Sequence, residues 1–228
     1  MTHYQQLKDY LNDELEFHFI EPTFHLIDKL LQEKVITDDD LHISNTVVTS
    51  SSGISITLIF KNKDTVYQIF ASRQVYDRIK DFCEKMSPHY DNPDSKYIVK
   101  HKLCIDEHLA IAFEKIQPIN NFKFDIYEMK RYVQEHMGKI KEDIDKALTF
   151  FNQTMGFYHG DARIDNIGYN ETTGNFVLFD YDKSLCVKRS LADKRTFAKS
   201  LDSYGPEHYH WDERYSMWVD QNGFKMPD

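Results

Sequence analysis

The sequence predicts an α+β protein in two parts: a small antiparallel β portion with one helix, then a mainly helical portion with a short C-terminal end. Three observations predict it. Apolar residues recur at three- and four-residue steps over the first forty positions and again from Asp125 to Phe157; between these stretches the period falls to that of strands; and a polar loop with a short strand pair follows the second stretch. The boundaries read 1–40 for an N-terminal helical extension, 41–117 for the β portion and 118–228 for the helical portion. With 228 residues, 41% hydrophobic and 14% aromatic, the chain can bury a core, which excludes disorder as its global state.

In the extension, Tyr4, Leu7, Leu11 and Leu15, then Phe24, Ile27, Leu30 and Leu31, mark two helical faces, and Pro22 is expected to separate them. After the acidic turn Thr37–Asp40, the runs LHISNTVVTS, ISITLIFKN and TVYQIFAS are rich in β-branched and aromatic residues. Ser50–Gly53 and Lys61–Asp64 between them are of hairpin length, so a three-stranded meander is expected at 41–72. Residues 73–86 place Val75, Ile79, Phe82 and Met86 on one helix face. KYIVKHKLCID and HLAIAFEKI read as two more strands turning at Asp106–Glu107. The long run from Asp125 is expected to break at Gly138, giving helices near 125–137 and 139–155 that Gly156 closes. Strands around Ile167–Tyr169 and Phe176–Phe179 follow, with Gly174 in their turn.

The formal charge of −9 argues against nucleic acid as a partner. No stretch reaches the roughly 18 apolar residues of a membrane span, and the acidic start is unlike a secretion signal, so a cytoplasmic protein without a membrane partner is expected. Cys83, Cys104 and Cys186 have neither paired nor metal-ligand spacing and read as reduced thiols. His208 and His210 lack a third ligand at fixed spacing and read as part of an aromatic tail.

Chemistry concentrates in residues 157–184, FYHGDARIDNIGYNETTGNFVLFDYDKS. Asp161 sits in a loop, Asn166 follows five residues later, and Asp180 ends the apolar run NFVLF, fourteen residues past Asn166. A hairpin of about a dozen residues returns the chain to its start, so Asp180 is expected beside Asn166. Phosphoryl transfer from a nucleotide needs such a set. A hard Mg²⁺ ion takes one or two protein oxygens and completes its octahedron with phosphate and water, which Asp180 and Asn166 suffice for. Asp161 would orient the attacking hydroxyl and accept its proton.

His159-Gly160-Asp161-x4-Asn166, followed by a strand ending in Asp180-Tyr181-Asp182, resembles the protein-kinase-like superfamily and most of all its aminoglycoside phosphotransferase and choline kinase branch. The resemblance covers about residues 41–184 and implies a bilobal fold, with the β portion as N-lobe, the helical portion as C-lobe and a reduced C-terminus. It implies a catalytic Asp161, a supporting His159, and metal ligands Asn166 and Asp180. Arg163 stands where that branch often has His and where Ser/Thr protein kinases have a Lys touching the γ-phosphate. FEKIQ at 113–117 would be the hinge, with Glu114 and Ile116 binding an adenine edge through the backbone. The glycine-rich loop is reduced to TSSSGIS, and Gln68 occupies the expected position of the phosphate-binding Lys. Lys61, Lys63 and Arg73 are the candidate replacements, with Glu84 or Asp77 as the cation's partner, and the basic residues of Lys183–Lys199 could face a phosphate-bearing or acidic acceptor.

The expected activity is an ATP- and Mg²⁺-dependent phosphotransferase, with Mn²⁺ as an alternative metal, moving the γ-phosphoryl group to a hydroxyl on a protein or a small molecule. The alternative is a pseudokinase or nucleotide-binding interaction module without turnover. Transfer of another part of the nucleotide, such as AMP, is a third reading.

Overall fold

The computed structural model describes residues 2–51, 53–119, 126–181, 190–202, 204, 209–212 and 217–220. The chain divides into two compact units, Met1–Ser87 with Lys100–Lys115, and Pro88–Val99 with Ile116–Asp228. Together they are α+β, with a five-stranded antiparallel sheet in the first unit and a three-stranded sheet in the second. Among the described residues, no helix is long and apolar enough to cross a membrane.

In the first unit, helices α1 (His3–Glu14) and α2 (Phe17–Gln32) precede strands β1 (Thr46–Ser51), β2 (Ser55–Phe60) and β3 (Thr65–Phe70). Helix α3 (Arg73–Met86) and strands β4 (His101–Ile105) and β5 (Ala110–Glu114) complete it, in the sheet order β1-β2-β3-β5-β4. The expected meander is present, although its first strand starts at Thr46. Residues 38–41 and 43–45 form two 3₁₀ turns instead, because Asp40 reaches back to the Thr37 amide at 2.9 Å and closes a capping box. Pro22 lies inside α2 and does not separate the helices. The break falls at Leu15 and Glu16, both extended, and a proline in the second turn removes only one main-chain bond.

Alternation along the strands decides what each sheet face meets. Ile56, Leu58, Phe60, Tyr67, Ile69, Ala110 and Ala112 share one buried core with Leu7 and Leu11 of α1 and Leu26, Ile27 and Leu30 of α2. The 1–40 segment thus packs into the same core as the sheet. On the alternate face, Val47, Ile59, Val66, Phe113 and His101 stand in direct register, strand to strand. Thr49, Thr57, Gln68, Ile111 and Cys104 form the next row.

Helix α3 is anchored through one acid. Asp106, in the β4–β5 turn, accepts from the Tyr76 hydroxyl at 2.8 Å and from the Lys80 ammonium at 2.7 Å, and its main-chain oxygen accepts from Arg73 at 2.9 Å. Lys80 first and Tyr76 second hold the Asp106 carboxyl below its ordinary range. A depressed carboxyl stabilises the fold above its unfolded value of about 3.9, and that contribution is lost as pH falls through the lower folded value. Hydrogen exchange of the α3 amides is therefore expected to accelerate as pH drops below about 4, after correction for intrinsic rates. Asp106→Asn should remove that step, and an unchanged step in the variant would locate its source elsewhere.

The second unit contains β6 (Gln117–Pro118), α4 (Ile126–Thr149), β7 (Ile167–Asn170), β8 (Asn175–Leu178), α5 (Ser190–Asp202), β9 (Tyr209–Asp212) and β10 (Met217–Asp220). The expected break at Gly138 is absent, and α4 runs through it. No atom lies within 4 Å of where a Cβ would stand there, so the position faces open space. Glycine costs about 1 kcal/mol relative to alanine in a helix. The buried stripe Val133, Met137, Ile140, Ile144 and Leu148 outweighs that. The helix changes character only at Phe150–Thr154, a π-helical turn, and the chain leaves it through Gly156 at φ +76°. Val99 joins this unit by donating its amide to Leu178 O at 3.0 Å.

Candidate active site

The candidate site lies in the second unit, where the β7–β8 hairpin sets its register. Gly174 takes φ +67°, and Asn170 Oδ1 accepts from the Thr172 and Thr173 amides at 3.0 and 3.2 Å, so the turn closes with Ile167 opposite Leu178. That pairing brings the next residues out together: the Phe179 amide donates to Asn166 O at 3.0 Å. Asp180 follows at φ +65°, a left-handed backbone that Asp and Asn tolerate better than most side chains, and the chain turns off the strand there.

The loop from His159 to Asn166 is tied to the same point. Asn166 donates its Nδ2 to Asp161 O at 2.8 Å, which orients the amide and leaves Oδ1 as its acceptor. Both residues are buried, at 6% and 7% exposure, so their orientations are held by the surrounding chain rather than by solvent. His159 is fully buried. Its Nδ1 accepts from the Asp161 amide at 3.3 Å, so Nε2 carries the hydrogen and donates to Phe179 O at 3.0 Å. A neutral imidazole thus bridges the Asp161 loop to the strand end that carries Asp180.

Arg163 grips Asp161 from the open side, with Nε at 2.7 Å from Oδ1 and Nη2 at 3.1 Å from Oδ2. This fork-to-fork pairing is the strong form of an arginine–carboxylate bond. Asp161, then Asp165 and Asp180, raise the Arg163 guanidinium above its ordinary value, so all three carboxylates act on this one cation.

Underneath the loop, Asp193 of α5 is fully buried and accepts from the amides of His159 at 2.9 Å and Gly160 at 3.0 Å. Asn152, in the π-helical turn, adds a third bond at 3.2 Å through Nδ2, which also donates to Leu148 O at 2.8 Å. Burial pushes the Asp193 carboxyl up, and its three N–H donors oppose that shift. Sequence reading passed over both residues. Asp193 lies among the basic residues of Lys183–Lys199, and its partners are 33 to 41 positions away, so spacing carries no signal.

The residue types suit a hard divalent cation: Asp180 carries a carboxylate and Asn166 an amide oxygen. Among the described residues, no three of His, Cys, Asp and Glu gather as a ready cage. A metal here would therefore depend on ligand oxygens for the rest of its shell. Asp182, Lys183, Cys186, Lys188, Arg189 and His208 lie outside the described residues.

The candidate nucleotide contacts are spread through the structure. Lys61 donates to Ser44 O, and Lys63 pairs with Asp40 at 3.1 Å; both leave the β2–β3 turn. Six residues of β2 separate that turn from the β1–β2 hairpin, about 20 Å at 3.3 Å per residue. Lys61 and Lys63 therefore do not gather at the reduced glycine loop. Arg73 is held by Asp106 O and by Asp77 at 3.8 Å, and Glu84 lies 3.8 Å from Lys80. Gln68 donates to Ser55 Oγ at 2.9 Å. Glu114 Oε1 accepts from the Lys100 amide at 2.7 Å. Ile116 lies against Gly168, where an added Cβ would collide with its Cδ1 and come within 3.0 Å of Gln117 O, so glycine permits the β6–β7 approach. No known protein family and no curated protein matches the chain.

Proposed function

We propose that this chain is an ATP- and Mg²⁺-dependent phosphotransferase that moves the γ-phosphoryl group to a hydroxyl acceptor, as a compact member of the protein-kinase-like superfamily near its aminoglycoside phosphotransferase and choline kinase branch. The observation that carries the reading is the joint anchoring of Asp161, Asn166 and Asp180. One network of Asn166 Nδ2 to Asp161 O, Phe179 N to Asn166 O and the His159 bridge holds all three positions. A polar loop serving only as a turn has no need of a buried imidazole and a buried carboxylate beneath it.

Asp180 and Asn166 would hold the metal. Bound with the triphosphate, Mg²⁺ neutralises charge that gathers on the transferring group. Asp161 orients the acceptor hydroxyl and takes its proton as oxygen attacks phosphorus and the bond to the leaving diphosphate breaks. Arg163 sets its positive charge beside Asp161, where the transferring oxygens carry negative charge.

Binding without turnover is the second reading, favoured by Gln68. Its amide is engaged with Ser55 where a phosphate-binding cation would be expected. Thermal shift with ATP, with and without Mg²⁺ or Mn²⁺, and intact-mass analysis of the chain and a panel of alcohols and Ser/Thr peptides separate the two. The expected result is a metal-dependent shift together with an added phosphoryl group. A shift without any transfer supports the binding module, an added nucleotidyl group the AMP-transfer reading, and no shift overturns all three.

A further inference from the structure

The five-stranded sheet has two edges, and they differ. Strand β4 is broken by a register shift between His101 and Leu103 and carries the charged Lys102, both features that keep an edge from pairing with another strand. Strand β1, TVVTSS, has no charge, no proline and an unbroken register against β2. Its outward groups follow from that ladder. Lys61 N donates to Asn45 O at 2.7 Å and Thr46 stands opposite Phe60, so Val47, Thr49 and Ser51 are the positions bonded to β2. The N–H and C=O groups of Thr46, Val48 and Ser50 therefore point away from the sheet. The Thr46 amide is taken by His42 O at 3.2 Å, and among the described residues no main-chain bond outside the ladder reaches Val48 or Ser50. Exposed apolar side chains border the same edge: Val47 on the strand, Ile43 before it and Ile54 in the turn after it. Phe17, 90% exposed, follows Glu16, whose carboxylate lies 3.7 Å from where a Cβ on Gly53 would stand. At the Thr46 end, Lys61 donates to the main-chain oxygen of Ser44, a neutral partner that leaves its charge in place.

We propose that β1 is a homodimer interface, at which two copies of this chain pair their β1 strands antiparallel about a two-fold axis centred on Val48 and join their sheets into one. In that register Val48 N donates to Val48 O of the second copy and Ser50 N donates to its Thr46 O, each reciprocally. The Thr46 amide stays with His42. The β-branched Val48 side chains meet across the axis, a favourable cross-strand pair, and the half-buried face of Val48 is covered. Charge selects the antiparallel arrangement. It sets the Thr46 end of one strand beside the Ser50 end of the other, so Lys61 of each copy approaches Glu16 of its mate, whereas parallel strands would set Lys61 beside Lys61 and Glu16 beside Glu16. The pairing uses no residue of the Asp161 site, so it stands whether or not phosphate is transferred.

Sedimentation velocity of the full chain between about 1 and 100 µM is expected to show a monomer–dimer equilibrium, the range suited to a small interface built on a six-residue strand. A chain that stays monomeric at about 100 µM overturns the proposal. Val48→Pro removes the outward N–H and no bond to β2, and it should weaken the dimer about tenfold or more. Should that variant fail to fold, Val47→Lys places a charge at an exposed position of the same edge and should weaken the dimer likewise. Hydrogen exchange fixes the register. The Val48 and Ser50 amides are expected to slow as protein concentration rises, while the Thr49 amide, bonded within the sheet, is protected at every concentration. A dimer that forms equally well in the folded variants, or that leaves exchange at Val48 and Ser50 unchanged, pairs through another surface and overturns the assignment of β1.

Discussion

Asp180→Asn is expected to lower phosphoryl transfer by about a thousandfold or more and to leave the fold intact. Removing the carboxylate proposed to hold the metal would forfeit several kcal/mol of transition-state stabilisation, and every 1.4 kcal/mol is about tenfold in rate. Asparagine is the informative replacement because of the backbone. At φ +65° an alanine would add strain of about 1 kcal/mol to the lost carboxylate, whereas asparagine adopts the left-handed region readily. The variant should unfold within about 2 °C of wild type, since the hairpin and the Phe179–Asn166 bond do not involve the carboxylate. Its thermal shift with ATP should no longer respond to Mg²⁺. Wild-type turnover in Asp180→Asn would remove this residue from the metal site and with it the foundation of the proposed mechanism.

Asp193→Ala is expected to be the most destabilising single change in the site, although Asp193 faces no substrate. It strands the buried amides of His159 and Gly160, each worth about 1–3 kcal/mol when left without an acceptor. A total of about 2–6 kcal/mol corresponds to a Tm about 4–24 °C lower in a chain of this size. Asp193→Asn separates shape from bonding: one side-chain oxygen remains for one amide, and the new N–H₂ meets the other donor. It should fall between alanine and wild type, and transfer activity should fall with loop order in the same sequence of variants. Denaturation monitored by circular dichroism checks the first expectation. A Tm unchanged in Asp193→Ala would mean that water replaces the carboxylate and that the loop is held by the His159 bridge alone.

Much of the local architecture was legible because its causes are local. The β7–β8 hairpin follows from Gly174 and the capping side chain of Asn170, and α3 follows from Ser72 at its N-cap and a strict apolar stripe. The expected neighbourhood of Asn166 and Asp180 required only the length of that hairpin. Where expectation and structure part, a non-local packing term outweighed a local preference. Gly138 and Pro22 weaken a helix by a propensity term, while the apolar stripes of α4 and α2 bind those helices to a core that propensity does not see.

By itself, then, the sequence determined the periods of its strands and helices, the hairpin that sets Asn166 beside the strand end, and the types of side chain available for oxygen chemistry. Tertiary structure alone decided that α1 and α2 share the core of the five-stranded sheet, that Lys61 and Lys63 are engaged with Ser44 and Asp40, and that Asp193 supports the Asp161 loop from another segment. The physical reason is range. A turn or a helical stripe is encoded within a few residues, whereas a buried carboxylate finds its donors only after distant segments have packed together.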